Sequence, residues 1–402
     1  MNTRPGYSFP SLLFQVIIVY HQHQEHIERA AIRKFDIRVL FAGLIPVFML
    51  AHFGHHVVGA MLRPLMPMIR TDFNLSYTQS GFVLSAFAIT AGFSQLPAGW
   101  LADRFGARIM VVISVSGVAL AGLLIGLSHS YVALVAFLVV AALLGGGYHP
   151  AAAAAISASV PSERRGRALG LHLIGGSSTF WVVPLIAAPI ALVWGWRGPY
   201  ISLTVPVIIL GIVLYFLIGH RIQASAPQVQ AVTSEDPAAP GKIRWRKLLP
   251  FLIMTIATGT MIQSVSSYFS LYAVDYLGVS ETVAALLVSV TPAVGLFAAP
   301  LGGYVSDRVG GVPVLVVVSF AAIPLIYLLG VVTNVLALVA VMVVIGIVSN
   351  TRMPTSEAYL VGNTPPHRRS TILGLYFFAG AEASGLLTPV VGTLIDHVGF
   401  SW

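Results

Sequence analysis

Of the 402 residues, 57% are hydrophobic, 9% are charged and none is cysteine. A soluble domain carries about 25% charged residues, so this composition excludes a soluble globular fold and points to an integral membrane protein. The lack of cysteine excludes disulfides and thiolate metal sites. The net charge of +8 would suggest nucleic acid in a soluble chain. Here it sits in short loops, where it orients a membrane protein, and no nucleic-acid partner is expected.

Residues 1–38 read as a cytoplasmic tail. Phe9 to Tyr20 is apolar but shorter than the ~20 residues a span needs, and it lacks the small-residue cleavage site of a signal peptide. His21, His23 and His26 follow, then Arg29, Arg33, Lys34 and Arg38. The histidines could hold a metal, but a solvated tail or amphipathic surface helix is the simpler reading. Apolar runs then recur at about 39–67, 77–101, 109–128, 131–157, 168–190 and 199–219. A polar linker rich in Ala, Pro, Gln and Ser occupies 220–247, and runs resume at about 249–277, 282–305, 313–331, 334–360 and 371–393. Each is long enough to cross about 30 Å of hydrocarbon as a helix. Lipid permits only helices and closed barrels, so the class is an all-α membrane protein with eleven spans, in halves 39–219 and 248–402.

Eighteen of the 22 basic residues fall on the side that holds the N-terminus. Only Arg70 and Arg197 fall on the other side, and Arg63 and Arg352 lie within spans. This bias predicts a cytoplasmic N-terminus.

The halves repeat one another. Gly99-Trp-Leu-Ala-Asp103-Arg104-Phe-Gly106-Ala-Arg108 returns as Gly303-Tyr-Val-Ser-Asp307-Arg308-Val-Gly310-Gly311, at an offset of 307 − 103 = 204. The same offset relates Pro150 to Pro354, Pro161 to Pro365, and Gly170 to Gly374. Such an offset marks an internal duplication, and parallel halves of about six spans are a transporter plan. Gly399-Phe-Ser-Trp402 matches Gly195-Trp-Arg-Gly198, just before the sixth span. A twelfth span is therefore expected to begin where this sequence ends.

The two loops resemble the signature loop of the major facilitator superfamily, Gly-x-x-x-Asp-Arg-x-Gly-x-[Arg/Lys]. The second copy has Val312 in place of the last basic residue. The resemblance implies the superfamily's fold of two six-helix halves. It also implies that Gly99, Asp103, Arg104, Gly106, Arg108, Gly303, Asp307, Arg308 and Gly310 are gating parts that latch the halves on the cytoplasmic side. His52-Phe53, Gly145-Gly-Gly-Tyr-His149-Pro150 and the run through His172-Leu-Ile-Gly175-Gly176 are similar to the fosmidomycin-resistance type of exporter. In that group an Asp stands at the position of His56 and a Glu at that of Ala151.

Ionisable residues inside spans cost several kcal/mol to bury and mark function by default. The first span carries His52, His55, His56 and Arg63 on adjacent parts of one helical face. His149, His172, Gln263, Tyr268, Arg352, Glu357 and Glu382 complete the polar set. The superfamily's central cavity is lined by the first, fourth, seventh and tenth helices. The resemblance therefore places His52, His56, His149, Gln263, Arg352 and Glu357 around it, with Pro150 and Pro354 breaking their helices there. Glu357, Glu382 or the His52/His56 pair could carry a coupling proton. Arg352 could pair with Glu357 or Glu382, or clamp an anionic substrate. His52 and His56 could also share a metal, with His149 as third ligand, but no metal is assigned.

No Gly-x-x-x-x-Gly-Lys-[Ser/Thr], His-Glu-x-x-His or Gly-x-Ser-x-Gly motif occurs, so neither direct ATP drive nor an enzyme is expected. The expected protein is a secondary active transporter in the plasma (inner) membrane, a monomer without cofactor. Its partners are a small-molecule substrate, protons and the bilayer. Proton-coupled export is the first reading. Proton-coupled uptake of an organic anion and a non-transporting receptor or scaffold are the alternatives.

Overall fold

A computed structural model describes residues 45–159, 165–222, 245–364 and 369–400. The expected tail and most of the linker lie outside the described residues. The helices are α1 (Ile45–Phe73), α2 (Tyr77–Phe105), α3 (Ala107–Gly126), α4 (Tyr131–Gly145), α5 (Tyr148–Ser159), α6 (Arg165–Trp194) and α7 (Arg197–Ile222) in the first half. The second half has α8 (Trp245–Ser266), α9 (Phe269–Asp275), α10 (Glu281–Leu287), α11 (Val290–Val309), α12 (Gly311–Val331), α13 (Val335–Gly362) and α14 (Arg369–Val398). Among the described residues, nine helical stretches are long and apolar enough to cross a membrane, and α4 is a shorter apolar helix. The fourth, seventh and eighth expected spans are each two helices meeting at a break, α4/α5, α8/α9 and α10/α11.

The break in the fourth span falls at Gly145–Gly147 rather than at Pro150. Three successive glycines have low helix propensity, and the Ser94 hydroxyl reaches from α2 to take the Ala142 carbonyl at 3.1 Å. Pro150 then sits in the first turn of α5, where its missing N–H costs nothing. Pro354 corrects the other expectation, because α13 runs through it unbroken. Next to it, Thr355 and Ser356 turn their hydroxyls onto the carbonyls of Thr351 and Arg352, each at 2.8 Å. Such back-bonding is common for Thr and Ser inside helices and tends to bend them.

The duplication is visible in the backbone. Gly106 and Gly310, the glycines of the two signature loops, have φ 81° and 92° with the same ψ of 149°. This left-handed region favours glycine. Space is not the constraint at Gly106, since an added Cβ would meet nothing within 4 Å. The side chains of Asp103 and Asp307 lie outside the described residues. Arg108 donates to the Tyr215 carbonyl at 2.9 Å and lies over the Tyr215 ring, and Arg308 lies over Tyr304. Both arginines thus make these contacts within their own halves and not across to the other.

The halves meet along two seams, α2 with α14 and α6 with α10–α11, the first far more extensive. Glycines let α2 and α14 close up. An added Cβ at Gly81 would lie 2.8 Å from Pro389 Cα, one at Gly385 would strike Ile89, and one at Gly392 would strike the Tyr77 carbonyl. At the end of the seam, the Asp396 carboxylate of α14 accepts the backbone N–H groups of Tyr77 and Thr78, each at 2.8 Å, and the Thr78 hydroxyl at 2.5 Å. It thereby caps the N-terminus of α2, where orphan amides and the helix dipole favour an anion. Ser76 and Gln79 add a reciprocal capping box at 2.9 and 3.1 Å. Arg70–Asp275 at 3.0 Å is a further tie between the halves at this end.

The Thr78 and Thr393 hydroxyls lie 3.1 Å apart across this seam. In a chain without native cysteine, the double variant Thr78→Cys/Thr393→Cys is expected to cross-link under mild oxidation. Adding Asp396→Ala should slow that cross-link several-fold by freeing the end of α2. Gel mobility under non-reducing conditions reads both.

Candidate functional site

Two polar constellations lie inside the bundle. The first surrounds a cavity of about 330 Å³ between the halves. Its polar lining includes Arg63 from α1, Ser85 from α2, Gln263 from α8, Arg352 from α13 and Tyr376 from α14. Among the described residues the lining contains two arginines and no acidic residue. Gln263 turns its carboxamide oxygen to accept both terminal nitrogens of Arg63, Nη1 at 3.1 Å, an amide orientation assigned from the hydrogen-bond network. Arg352 Nη1 lies 3.0 Å from both the Thr255 carbonyl and its hydroxyl, and 2.9 Å from the Tyr376 hydroxyl. Arg352 Nε is buried without a partner. Gly259 makes room for this guanidinium, since a Cβ there would come within 2.7 Å of Arg352 Cζ.

The direct hydrogen bonds of Arg352 go to neutral acceptors on α8 and α14 and not to Glu357 or Glu382, as a direct ion pair would require, although Glu357 still acts on the guanidinium electrostatically. Glu357, one turn along α13, is half-buried and outside the cavity lining. Glu382 faces the α2 seam instead, where an added Cβ at Gly92 would collide with its Oε1. That oxygen is buried and has no hydrogen-bond partner. Tyr268, expected on the pathway, is a buried strut at the seam. Its hydroxyl lies 2.8 Å from the Thr388 carbonyl and 3.2 Å from that of Tyr77.

The second constellation holds all five intramembrane histidines. His52, His55 and His56 of α1 pack against Tyr148 and His149 of α5 and His172 of α6, with imidazole centroids 4.2–5.5 Å apart. The expectation that His52, His56 and His149 line the central cavity is therefore corrected. Arg63 shares their helical face, but it lies seven residues beyond His56, about 10 Å along the axis. At the level of His52–His56 the neighbours are α5 and α6. Gly176 of α6 admits the His52 ring, which an added Cβ would strike, and Gly145 admits His55.

The hydrogen bonds fix most of the ring tautomers. His52 Nδ1 lies 2.9 Å from the His172 carbonyl, which can only accept, so Nδ1 carries the proton and Nε2 the lone pair. His52 Nε2 then accepts from His56 Nε2 at 3.1 Å. The Tyr148 hydroxyl donates to the Phe48 carbonyl and accepts from His172 Nε2, both at 3.1 Å. His55 Nδ1 is buried without a partner. No acidic side chain hydrogen-bonds to these rings among the described residues.

The two constellations occupy equivalent places in the repeat, since 352 − 148 = 376 − 172 = 204. The Arg352–Tyr376 bond of the second half stands where Tyr148–His172 stands in the first. Gly259 likewise stands where His55 does.

Paired bundles around a polar midplane cavity define a multi-pass membrane transporter, not an enzyme. Residues 48–389 match the Major Facilitator Superfamily, and the chain belongs to that family. Among curated relatives, Multidrug resistance protein MdtG of Proteus mirabilis is 27% identical over 358 residues, covering 85% of this chain and 87% of that protein. The protein of the same name from Enterobacter lignolyticus is 30% identical over 321 residues, covering 77% and 75%. Among solved structures, a POT family transporter in complex with 5-aminolevulinic acid superposes with a TM-score of 0.74 at 13% identity, covering 89% and 91%. An inward-facing, occupied bacterial homolog of the human lysosomal transporter Spinster gives 0.71 at 18% identity, covering 91% and 83%. At these identities the structures show the fold alone.

Gly176→Leu is expected to lower the thermal midpoint in detergent by several degrees, because overpacking against His52 costs about 1–3 kcal/mol. Gly374→Ala, where an added Cβ meets nothing within 4 Å, should leave it unchanged. Differential scanning fluorimetry reads both.

Proposed function

We propose that this transporter exports a small organic molecule bearing an acidic group, in exchange for protons. The observation that carries the reading is the cavity between the halves, which presents Arg63 and Arg352 and no carboxylate. Cations held away from water without a direct ion pair are costly, and an anionic group entering between them recovers part of that cost through charge-assisted bonds. The unpartnered Arg352 Nε is a donor available for it. The curated relatives carry the name Multidrug resistance protein, which favours export over uptake.

For the proton we assign Glu382. Its Oε1 is buried and unpartnered against Gly92 on the seam. A carboxyl is far cheaper to keep there protonated than ionised. The α2–α14 seam must part during alternating access, which would free this buried oxygen to exchange a proton with water. His52 and His56, the other carriers considered, lie away from the cavity.

The basic-residue bias places the N-terminus in the cytoplasm, with the inner membrane as the site of action. The Asp396 cap then lies on the outer face. The signature loops close the cytoplasmic side in the opposite state. One chain supplies both halves of the cavity, so a monomer suffices. Uptake of an organic anion with protons would use the same cavity, and vesicle sidedness separates the two.

In inside-out vesicles with an imposed proton gradient, wild type is expected to accumulate an organic-acid substrate. Arg352→Ala and Arg63→Ala should each weaken substrate binding by at least tenfold. Glu382→Gln should abolish substrate-dependent proton movement while retaining substrate binding. Accumulation only in right-side-out vesicles would overturn export in favour of uptake. Coupled proton flux in Glu382→Gln would overturn the proton assignment.

A further inference from the structure

We propose that His52, His56 and His149 form a binding site for one divalent transition-metal ion of the zinc class, inside the first half and separate from the arginine cavity. One ligand nitrogen from each of the three rings lies within 4.8 Å of the others. His52 Nε2 and His56 Nε2 are already 3.1 Å apart. Two nitrogens on a tetrahedral ion with bonds of about 2.0–2.1 Å stand about 3.3 Å apart, so the separation of this pair already fits and the rings need only tilt toward the ion. His52 and His56 are one helical turn apart on α1. His149 approaches from the first turn of α5, and its ring has only to move by an ångström or two to complete the triad.

The surroundings suit a ligand site. His52 uses Nδ1 to donate to the His172 carbonyl at 2.9 Å, which leaves Nε2 as the ligating atom and holds the ring in place. Metal-bound histidines are typically oriented by such an outer partner. Gly176 provides the room that lets this ring sit between α1 and α6. His56 donates from Nε2 in the metal-free arrangement. On ligation it moves that proton to Nδ1, so binding needs no net proton release from neutral rings.

The donor set decides the class of ion. Three neutral imidazoles without a carboxylate favour Zn²⁺, Co²⁺, Ni²⁺ or Cu²⁺ over Mg²⁺ and Ca²⁺, which require oxygen ligands. Three protein ligands leave a fourth position for a water. A bound ion would staple the first span to the second part of the fourth span within one half.

The test uses the full-length protein purified without a histidine tag. His21, His23 and His26 are changed to Ala so that the tail cannot contribute. Chelator-stripped protein is titrated with Zn²⁺, with metal content measured after gel filtration, and with Co²⁺, whose visible absorption reports ligand geometry. The expected result is one ion per chain and a tetrahedral cobalt spectrum. His56→Gln and His149→Gln should each lower affinity by at least tenfold while gel filtration and substrate binding stay intact.

X-ray absorption of the Zn²⁺-loaded protein, otherwise unaltered, tests the site without perturbing the cluster. About three imidazoles around the metal support the site. An oxygen-dominated shell overturns it. Binding that is lost with the tail histidines, or that persists undiminished in His56→Gln and His149→Gln, also overturns it.

Discussion

The seam between α2 and α14 is the constraint on which the rest depends. In hydrocarbon no water stands ready to satisfy a backbone or side-chain polar group, so each must find a protein partner. At the exposed end of the seam, Asp396 caps the free amides of α2 from the other half of the chain. The glycines at 81, 92, 385 and 392 let the two helices approach closely, since close packing, not water exclusion, drives helix association in lipid. The cavity walls are fixed by this contact. Ser85 and Ala88 of α2, and Tyr376, Ser384 and Thr388 of α14, line the cavity from the helices that form the seam.

The second seam is its counterpart in the repeat but not its copy. Position 396 corresponds to 192, since 396 − 204 = 192, and Leu192 offers nothing to cap a helix. Tyr77 corresponds to Glu281 at the start of α10, whose carboxylate reaches only Thr71, at 3.5 Å. One seam thus carries a charge-assisted cap and the other does not.

The same duplication explains the two constellations. A polar residue of the fourth or tenth span meets a ring from the fifth or eleventh span in both halves. In the second half the pair is Arg352 and Tyr376, with Gly259 leaving space for the guanidinium. In the first half it is Tyr148 and His172, with His55 stacked on Tyr148 at 4.5 Å. One scaffold position became a charged cavity wall and the other an imidazole cluster. Divergence of a few residues after duplication is enough for this, because the backbone geometry is shared.

Hydropathy by itself determined the class and the apolar runs, because in lipid a span must be long, apolar and helical, and the repeated loop set the offset of 204. The glycines at 106 and 310 were equally legible, since a left-handed turn there demands them. Tertiary structure alone decided which polar groups meet. Spacing places His52, His56 and Arg63 on one face of α1, yet the neighbour at each level, α5 and α6 or α8, sends the histidines to their own cluster and the arginine to the cavity. Spacing also suggested a carboxylate for Arg352, but helix packing supplied Thr255 and Tyr376 and turned Glu382 toward α2. A sequence states which costly groups are buried. Only the three-dimensional neighbours decide how each is satisfied, because contacts between spans depend on the height and rotation of both helices.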